Sequence, residues 1–441
     1  MTNRRQILSG LAAALVTIGS VERTMSQPFV DAAAFGVEPT TGADQSRALQ
    51  MAVDAAAEQG QPLYLMGGRY RVANIAIGRP VTIRSTAHAT LELGDGDAVL
   101  AIGDCQDVVL EGLTLDGLGR PGRDTSLLSV THAKGVMLRD CRLLRAGGNG
   151  ISAHRMQGKI ENCQLSDIAD TAIFSTDSDG LDIAGNTIAR CGNGGIRVWR
   201  GESGPDGSHI WGNRIVDIDW VDGGNGQNGN GINVFRADNV RVSDNHLSKC
   251  AFSAIRLNTT NNTRVTGNYC HDSGEVSIFS EFGFSGSIIS HNVVEGGAAG
   301  ISMTNFDHDG RLSVCQGNIV RNLAERSRTN PDTVPYGIAA EADAAVTGNI
   351  VEAVPGRGIV VGWGPYLRDV LVNDNLVREC TIGIAVSVAP GAGHARISGN
   401  IVSGNLEHAI VGAAWENVLS TDLAAEQSRF PNIKVEGNSI I

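Results

Sequence analysis

The sequence predicts an all-β protein, a right-handed parallel β-helix of about eleven or twelve coils with an N-terminal capping helix. Three observations predict it. An Asn preceded by Gly, Asp or another polar residue and followed by aliphatic positions recurs at Asn162, Asn186, Asn213, Asn245, Asn268, Asn292, Asn318, Asn349, Asn375, Asn400 and Asn438, mostly 23 to 32 residues apart. A fixed period of that size signals a solenoid. Each period also holds a second short strand, as in Gly195-Ile196-Arg197-Val198 and Gly300-Ile301-Ser302-Met303, in which apolar and variable residues alternate, so one face points inward and the other outward. Composition agrees: 56 of 441 residues are Gly and only 5% are aromatic, which suits short strands joined by tight turns.

Strands this short cannot bury themselves alone, but stacked coils hydrogen-bond to one another and align like residues in ladders. The recurring Asn is expected to form such a ladder, with a structural role. The eight cysteines read as stacked small core residues, Cys141 beside Cys163 and Cys191, Cys250 and Cys380 in equivalent places, and not as a disulfide framework or a zinc site. A leucine-rich repeat has a similar period, but its Leu consensus is absent.

Residues 1–26 read as an export signal: Arg4-Arg5, then a mildly apolar run to Ser20. That run, about 14 residues, is short of the ~20 needed to span a bilayer. The paired arginines resemble the twin-arginine export signal of bacteria, which implies a periplasmic or secreted protein with no membrane segment after cleavage. Residues 27–441 read as a single domain. Within it, Ala48, Leu49, Ala52, Val53 and Ala56 recur at helical spacing between Asp44, a candidate N-cap, and Gly60, a stop, giving a capping helix over residues 44–60. The segment 415–431 interrupts the last interval and reads as a helix or loop shielding the final coil. The formal charge of −12 argues against a nucleic-acid partner, whose phosphates demand basic residues.

Phe35-Gly36-Val37, the helix, Leu63-Tyr64-Leu65 and Gly68-Arg69-Tyr70-Arg71-Val72, followed by the repeats, resemble the N-terminal segment and coils of pectate-lyase-like β-helix proteins. In detail the chain most resembles the twin-arginine-translocated β-helix repeat proteins of bacteria, a group with no established reaction. The resemblance implies an exported protein whose partner is a polysaccharide.

Outward residues of stacked strands stand in rows one rung, roughly 4.8 Å, apart. Setting the second strands in register gives one row of Ser152, Phe174, Arg197, Asn233, Arg256, Phe279, Ser302, Ala339 and Val360. The next row is His154, Thr176, Trp199, Phe235, Asn258, Glu281, Thr304, Glu341 and Gly362. Arg197, Trp199, Asn233, Phe235 and Asn258 form a candidate sugar-binding strip, with aromatic faces for pyranose rings, amides for hydroxyls and Arg for a uronate carboxylate. Beyond it the rows fade to Ala, Val, Ser and Gly. The bland alternative is that the charged residues are solvated and that Trp and Phe pack under a loop.

Candidate catalytic residues are Arg256, Glu281, His308 and Glu341. Glu281 and Glu341, two rungs or about 10 Å apart at the backbone, suit the acid and base of an inverting glycosidase. Arg197 or Arg256 suits neutralisation of a uronate in β-elimination or C5 epimerisation, with Arg256, His154 or His308 as base if its pKa is lowered. Asn305-Phe306-Asp307-His308-Asp309-Gly310 has a likeness to the Asp-Pro-His-Asp motif of mannuronan epimerases without its Pro. Of the polygalacturonase motifs, only Ser175-Thr176-Asp177 has a counterpart. No cofactor fingerprint is legible. Calcium is the one metal with candidate oxygen ligands, in Asp177-Ser178-Asp179-Gly180 and in Asp217, Asp219 and Asp222, though turn chemistry explains such residues equally well. The long intervals after Asn213 and Asn318 are expected to form loops, the first walling the strip. The rival to an enzyme is a non-catalytic carbohydrate-binding or structural envelope protein.

Overall fold

A computed structural model of the chain describes residues 28–122, 125–224 and 226–441; the expected export signal at 1–26 lies outside them. Each coil contributes three strands. The first, as in Gly158–Glu161, stacks into a sheet of 16 strands that runs the length of the molecule. The second and third, as in Gln164–Ile168 and Thr171–Thr176, stack beside each other into a continuous system of 28. Among the described residues the strand pairings between coils are parallel, and a hairpin near the C-terminus, His408–Ala414 with Asn417–Ser420, is antiparallel. The solenoid makes about 14 turns, more than the Asn count suggests, because the first coils carry no ladder Asn.

The turn between first and second strands explains both the repeat and a one-residue error in reading it. Its corner residue is left-handed, as at Gly185 (φ 64°) and Asp244 (φ 55°), which is why Gly, Asp and Asn dominate there. The residue after it points inward. From Asn186 to Asn438 that residue is Asn, and each rung bonds to the next: Asn213 Oδ1 accepts from both the backbone N–H and the Nδ2 of Asn186, at 2.9 Å each. Asn186 Nδ2 also donates to the Ile160 carbonyl at 2.9 Å. Buried amides are thereby satisfied along the whole column. Asn162 is not a member. It is exposed at the left-handed corner (φ 55°), and Cys163 fills the inward place, its N–H donating to Asn186 Oδ1 at 2.9 Å. Cys141 stands one rung earlier in the same row, its thiol 3.6 Å from the Leu110 carbonyl, and all eight thiols are free.

One apolar core runs through the coils from Val30 to Val435. The helix, Ser46–Gln59, packs Leu49, Ala52, Val53 and Ala56 into it and ends at left-handed Gly60 (φ 60°). Its N-cap is Gln45 and not Asp44; the Asp44 carboxylate instead accepts the Ser46 N–H at 2.9 Å. In the 415–431 segment, Trp415 is the tip of the antiparallel hairpin, and Leu423 is buried in the core. The only helical turn there is a 3₁₀ turn, Gln427–Arg429. The last strand, Ser439–Ile440, leaves Ile440 and Ile441 exposed.

Two long insertions leave the solenoid at the corner before the third strand, residues 219–229, described except at 225, and 323–335. The first bonds to outward residues of the third strands, and the second reaches back along the corner to earlier coils. They determine which outward residues meet solvent.

Candidate functional site

The outward rows stand in the expected register. Ser152 pairs with Phe174, Phe174 with Arg197, Arg197 with Asn233, Asn233 with Arg256 and Arg256 with Phe279. The second row runs from His154 through Thr176, Trp199, Phe235 and Asn258 to Glu281.

The strip is nevertheless partly covered. Arg197, Asn233, Arg256 and Glu281 are all at most 5% exposed, which corrects the expectation that its polar side chains are open to a sugar, while Trp199, Phe235 and Asn258 are half-buried. The 219–229 insertion covers its beginning. Asn228 Oδ1 accepts from Arg197 at 2.6 Å, and the Gly226 carbonyl accepts from Asn233 and Asn230, both at 2.9 Å. Beneath it Trp199 donates to Asn233 at 2.9 Å, and the Arg197 guanidinium lies 5.3 Å from the Trp199 ring and 5.7 Å from that of Phe174. Phe235 packs edge-on against Trp199. Donors and rings that suit a sugar are used by the protein itself.

Arg256 is the centre of a second closed network. Its guanidinium forks onto Glu281 at 2.6 and 2.7 Å and reaches Glu275 at 2.9 Å, while Asn258 donates to Glu281 at 2.8 Å. Burial pulls the Arg256 pKa down, but the hydrogen bonds and charges of Glu281 and Glu275 outweigh it and raise it above the ordinary arginine value. Arg256 is therefore no base, and Glu281 faces it as an ion-pair partner, not across a cleft. His308 is exposed, pairs with Asp307 at 3.0 Å and lies against Phe282; His154 bonds Thr176 at 3.1 Å.

Over these two rows the open space lies where they fade. A cavity of about 370 Å³ stands over Phe279, Thr304, Ala339, Val360 and Gly362. Small side chains on its floor leave the volume, and its walls come from outside the two rows. Glu275 closes one end, Val334, Pro335 and Tyr336 one side, and Trp363 and Glu416 the other end. Tyr336 and Arg357 are neighbours in a third row, three residues upstream of Ala339 and Val360. Laying out that row would have found them in the sequence. The hairpin tip has no comparable signal.

Glu341 is the one expected catalytic residue that lines this cavity. Its carboxylate accepts the Phe306 N–H at 2.7 Å, but burial outweighs that bond and pushes its pKa up to about 7. Burial likewise raises Glu275, against the pull of Arg256, and pushes Tyr336 up to about 12, so its hydroxyl stays protonated. Arg357 lies 5.5 Å over the Trp363 ring and spends Nη2 on Glu416 at 3.1 Å. Its Nε and Nη1 bond to no other described residue.

The candidate calcium ligands serve turns and pairs. Asp177 accepts the Gly201 N–H at 2.9 Å, Asp179 accepts from Gln157 at 3.0 Å, Asp217 faces Lys249 at 3.9 Å and Asp222 accepts from Asn193 at 2.8 Å. Among the described residues no three His, Cys, Asp or Glu side chains converge as metal ligands do. No described helix is long and apolar enough to cross a membrane.

Residues 123–215, 150–322 and 206–369 match the family described as right-handed beta helix region, together more than half the chain. The chain belongs to the right-handed β-helix family. None of the curated proteins matches it. Solved structures that share the coil include three of known description. The catalytic unit of a thermostable GH87 α-1,3-glucanase from Streptomyces thermodiastaticus is 14% identical over 94% of this chain and 68% of its own, with a TM-score of 0.50. An N-terminal fragment of the bacteriophage phi29 gene product 12 is 16% identical over 93% and 70%, at 0.57. The alginate lyase AlyF-OU02 is 13% identical over 93% and 88%, at 0.51. At such identities the likeness to this β-helix is one of fold.

Proposed function

We propose that this β-helix is an enzyme that cleaves glycosidic linkages of an acidic polysaccharide, with the cavity over Thr304, Ala339 and Val360 as its active site. The observation that carries the reading is Glu341: a carboxyl held protonated to about pH 7 by burial, in a cavity walled by aromatic rings. A departing glycosidic oxygen needs a proton whether the bond is broken by water or by elimination, and an acid poised near neutrality delivers it best. Trp363, Tyr336 and Phe279 give faces for sugar rings. The uncommitted Nε and Nη1 donors of Arg357 suit a single charge-assisted hydrogen bond to the carboxylate of a uronate. Glu275 and Glu416 are the carboxylates available to accept the second proton. The expected Arg256 and Glu281 support the site from behind by holding Glu275. An α-1,3-glucanase and an alginate lyase use the same fold, which is compatible with this reading without selecting it. We place the protein in the periplasm or outside the cell, on the strength of the Arg4-Arg5 signal.

Incubating the mature protein with uronate-containing and neutral polysaccharides tests the proposal. New reducing ends alone identify a hydrolase, and absorbance of an unsaturated uronate identifies a lyase. Either activity should vanish in Glu341→Gln. Retained binding with no product from any substrate would contradict an enzyme and leave a carbohydrate-binding protein.

A further inference from the structure

We infer that the cavity receives the end of a polysaccharide chain and not its middle, so that short units are removed from a terminus. This rests on reading the cavity as the active site. An internal stretch of polymer lying along a β-helix needs a groove open at both axial ends. Here both ends are closed.

On the N-terminal side the buried Arg256–Glu281 pair fills the face, the first insertion lies over the rungs before it, and the second is tied along its edge. The 219–229 insertion is bonded down through Asn228 and Gly226. The 323–335 insertion reaches back to earlier coils, where Thr329 donates to the Ala251 carbonyl at 2.6 Å, Arg328 to the Asp272 carbonyl at 3.0 Å and Asn330 to Glu275 at 3.4 Å. On the C-terminal side the hairpin tip is the barrier. Trp415 packs edge-on against Trp363 with centroids 5.8 Å apart and against Tyr366 at 6.3 Å. Arg357 ties the tip down through the carbonyl and carboxylate of Glu416, at 3.2 and 3.1 Å. Gly364 (φ 57°) admits the ring, since a Cβ there would stand 2.4 Å from it.

Between these barriers lie four rungs, at Phe279, Ser302, Ala339 and Val360. Three rung spacings span about 14 Å, and about 370 Å³ is near the small end of the range for ligand sites. That is room for a few sugar units, entering from the open side. Each turnover breaks one C–O bond near the terminus. In hydrolysis Glu341 protonates the departing oxygen, water adds to the anomeric carbon and its proton goes to a carboxylate. In elimination the C5 proton goes to the base, O4 departs with the Glu341 proton, and a C4–C5 double bond remains. Neither route needs an oxidant or reductant.

Size-fractionated oligomers of galacturonate, of alginate and of neutral α-1,3-glucan, with the full mature protein, make the test. Titrations followed by tryptophan fluorescence should give one protein per chain end, with an affinity per chain that stops rising beyond three or four units. Products should be short from the first time point, while polymer viscosity falls slowly. Trp415→Ala, with one barrier lowered, should release intermediate lengths while melting within a few degrees of wild type. Several proteins per long chain, or a rapid viscosity drop in the wild type, would overturn chain-end binding and leave the functional reading standing. Failure of every oligomer to bind would overturn both.

Discussion

The third-strand face from Arg197 to Glu281 carries the residue types expected of a sugar site and has its charged groups covered, whereas the face from Ser302 to Val360 carries almost none of them and holds the cavity. The difference lies in what covers each. Over the first stretch the first insertion supplies an amide oxygen to Arg197 and a carbonyl to Asn233, and the carboxylates of Glu281 and Glu275 satisfy Arg256, so polar side chains there serve packing. Over the second, Ala339 and Val360 leave volume that loops enclose but do not fill. A row rich in functional residue types needs partners and attracts cover. A row of small residues makes a floor.

Four substitutions break or sharpen the contrast, from the largest expected effect to the smallest. Glu341→Gln should cut kcat by about 10²–10⁴-fold with the fold intact. Because burial raises the Glu341 pKa from 4.5 to about 7, the protonated carboxyl is the form the fold tolerates. The stability it permits is full below pH 4.5 and is lost as pH rises through 7. Gln should therefore match wild type in urea at pH 4 and exceed it by about 3 kcal/mol at pH 8, and wild-type kcat should fall as pH passes 7. Equal pH profiles for the two proteins would remove Glu341 from its role.

Arg256→Met should cost about 3–5 kcal/mol at pH 7, since Glu275 and Glu281 lose the cation between them. Urea midpoints check this, and the loss should shrink as the pH falls and Glu275, whose pKa burial raises, takes up a proton. Asn318→Ala should cost about 1–3 kcal/mol by leaving ladder amides on both sides without partners. His308→Ala should change stability by under about 0.5 kcal/mol and leave activity unaltered; a large loss of activity there would move the chemistry out of the cavity.

The register of the outward rows was legible because alternation and the corner Gly or Asp fix each strand's phase, and one slipped residue would expose the core. Where the signal was ambiguous the reading slipped. At Glu161-Asn162-Cys163 an Asn sits at the left-handed corner, which the neighbouring coils give to Gly or Asp, and a Cys sits in the ladder, so the Asn is read one place early. The earliest coils were undercounted for a related reason, since Leu113, Cys141 and Cys163 occupy the inward place before the ladder begins. The site was half legible. Glu341 stands out by row, but its environment depends on Trp363, on Tyr336 and on a hairpin from residues 408–420, and no periodicity reports how insertions fold across distant coils. Burial of Arg197 and Arg256 was likewise invisible, because the residues that cover them are Gly and Asn, the usual composition of any turn.

The most direct measurement compares Ala339→Phe, which fills the floor of the cavity, with Phe235→Ala on the closed face. Calorimetric titration uses an acidic oligosaccharide that the wild type binds. The account predicts that Ala339→Phe abolishes binding while melting close to wild type, and that Phe235→Ala binds as before. Undiminished binding by Ala339→Phe together with loss in Phe235→Ala would contradict it.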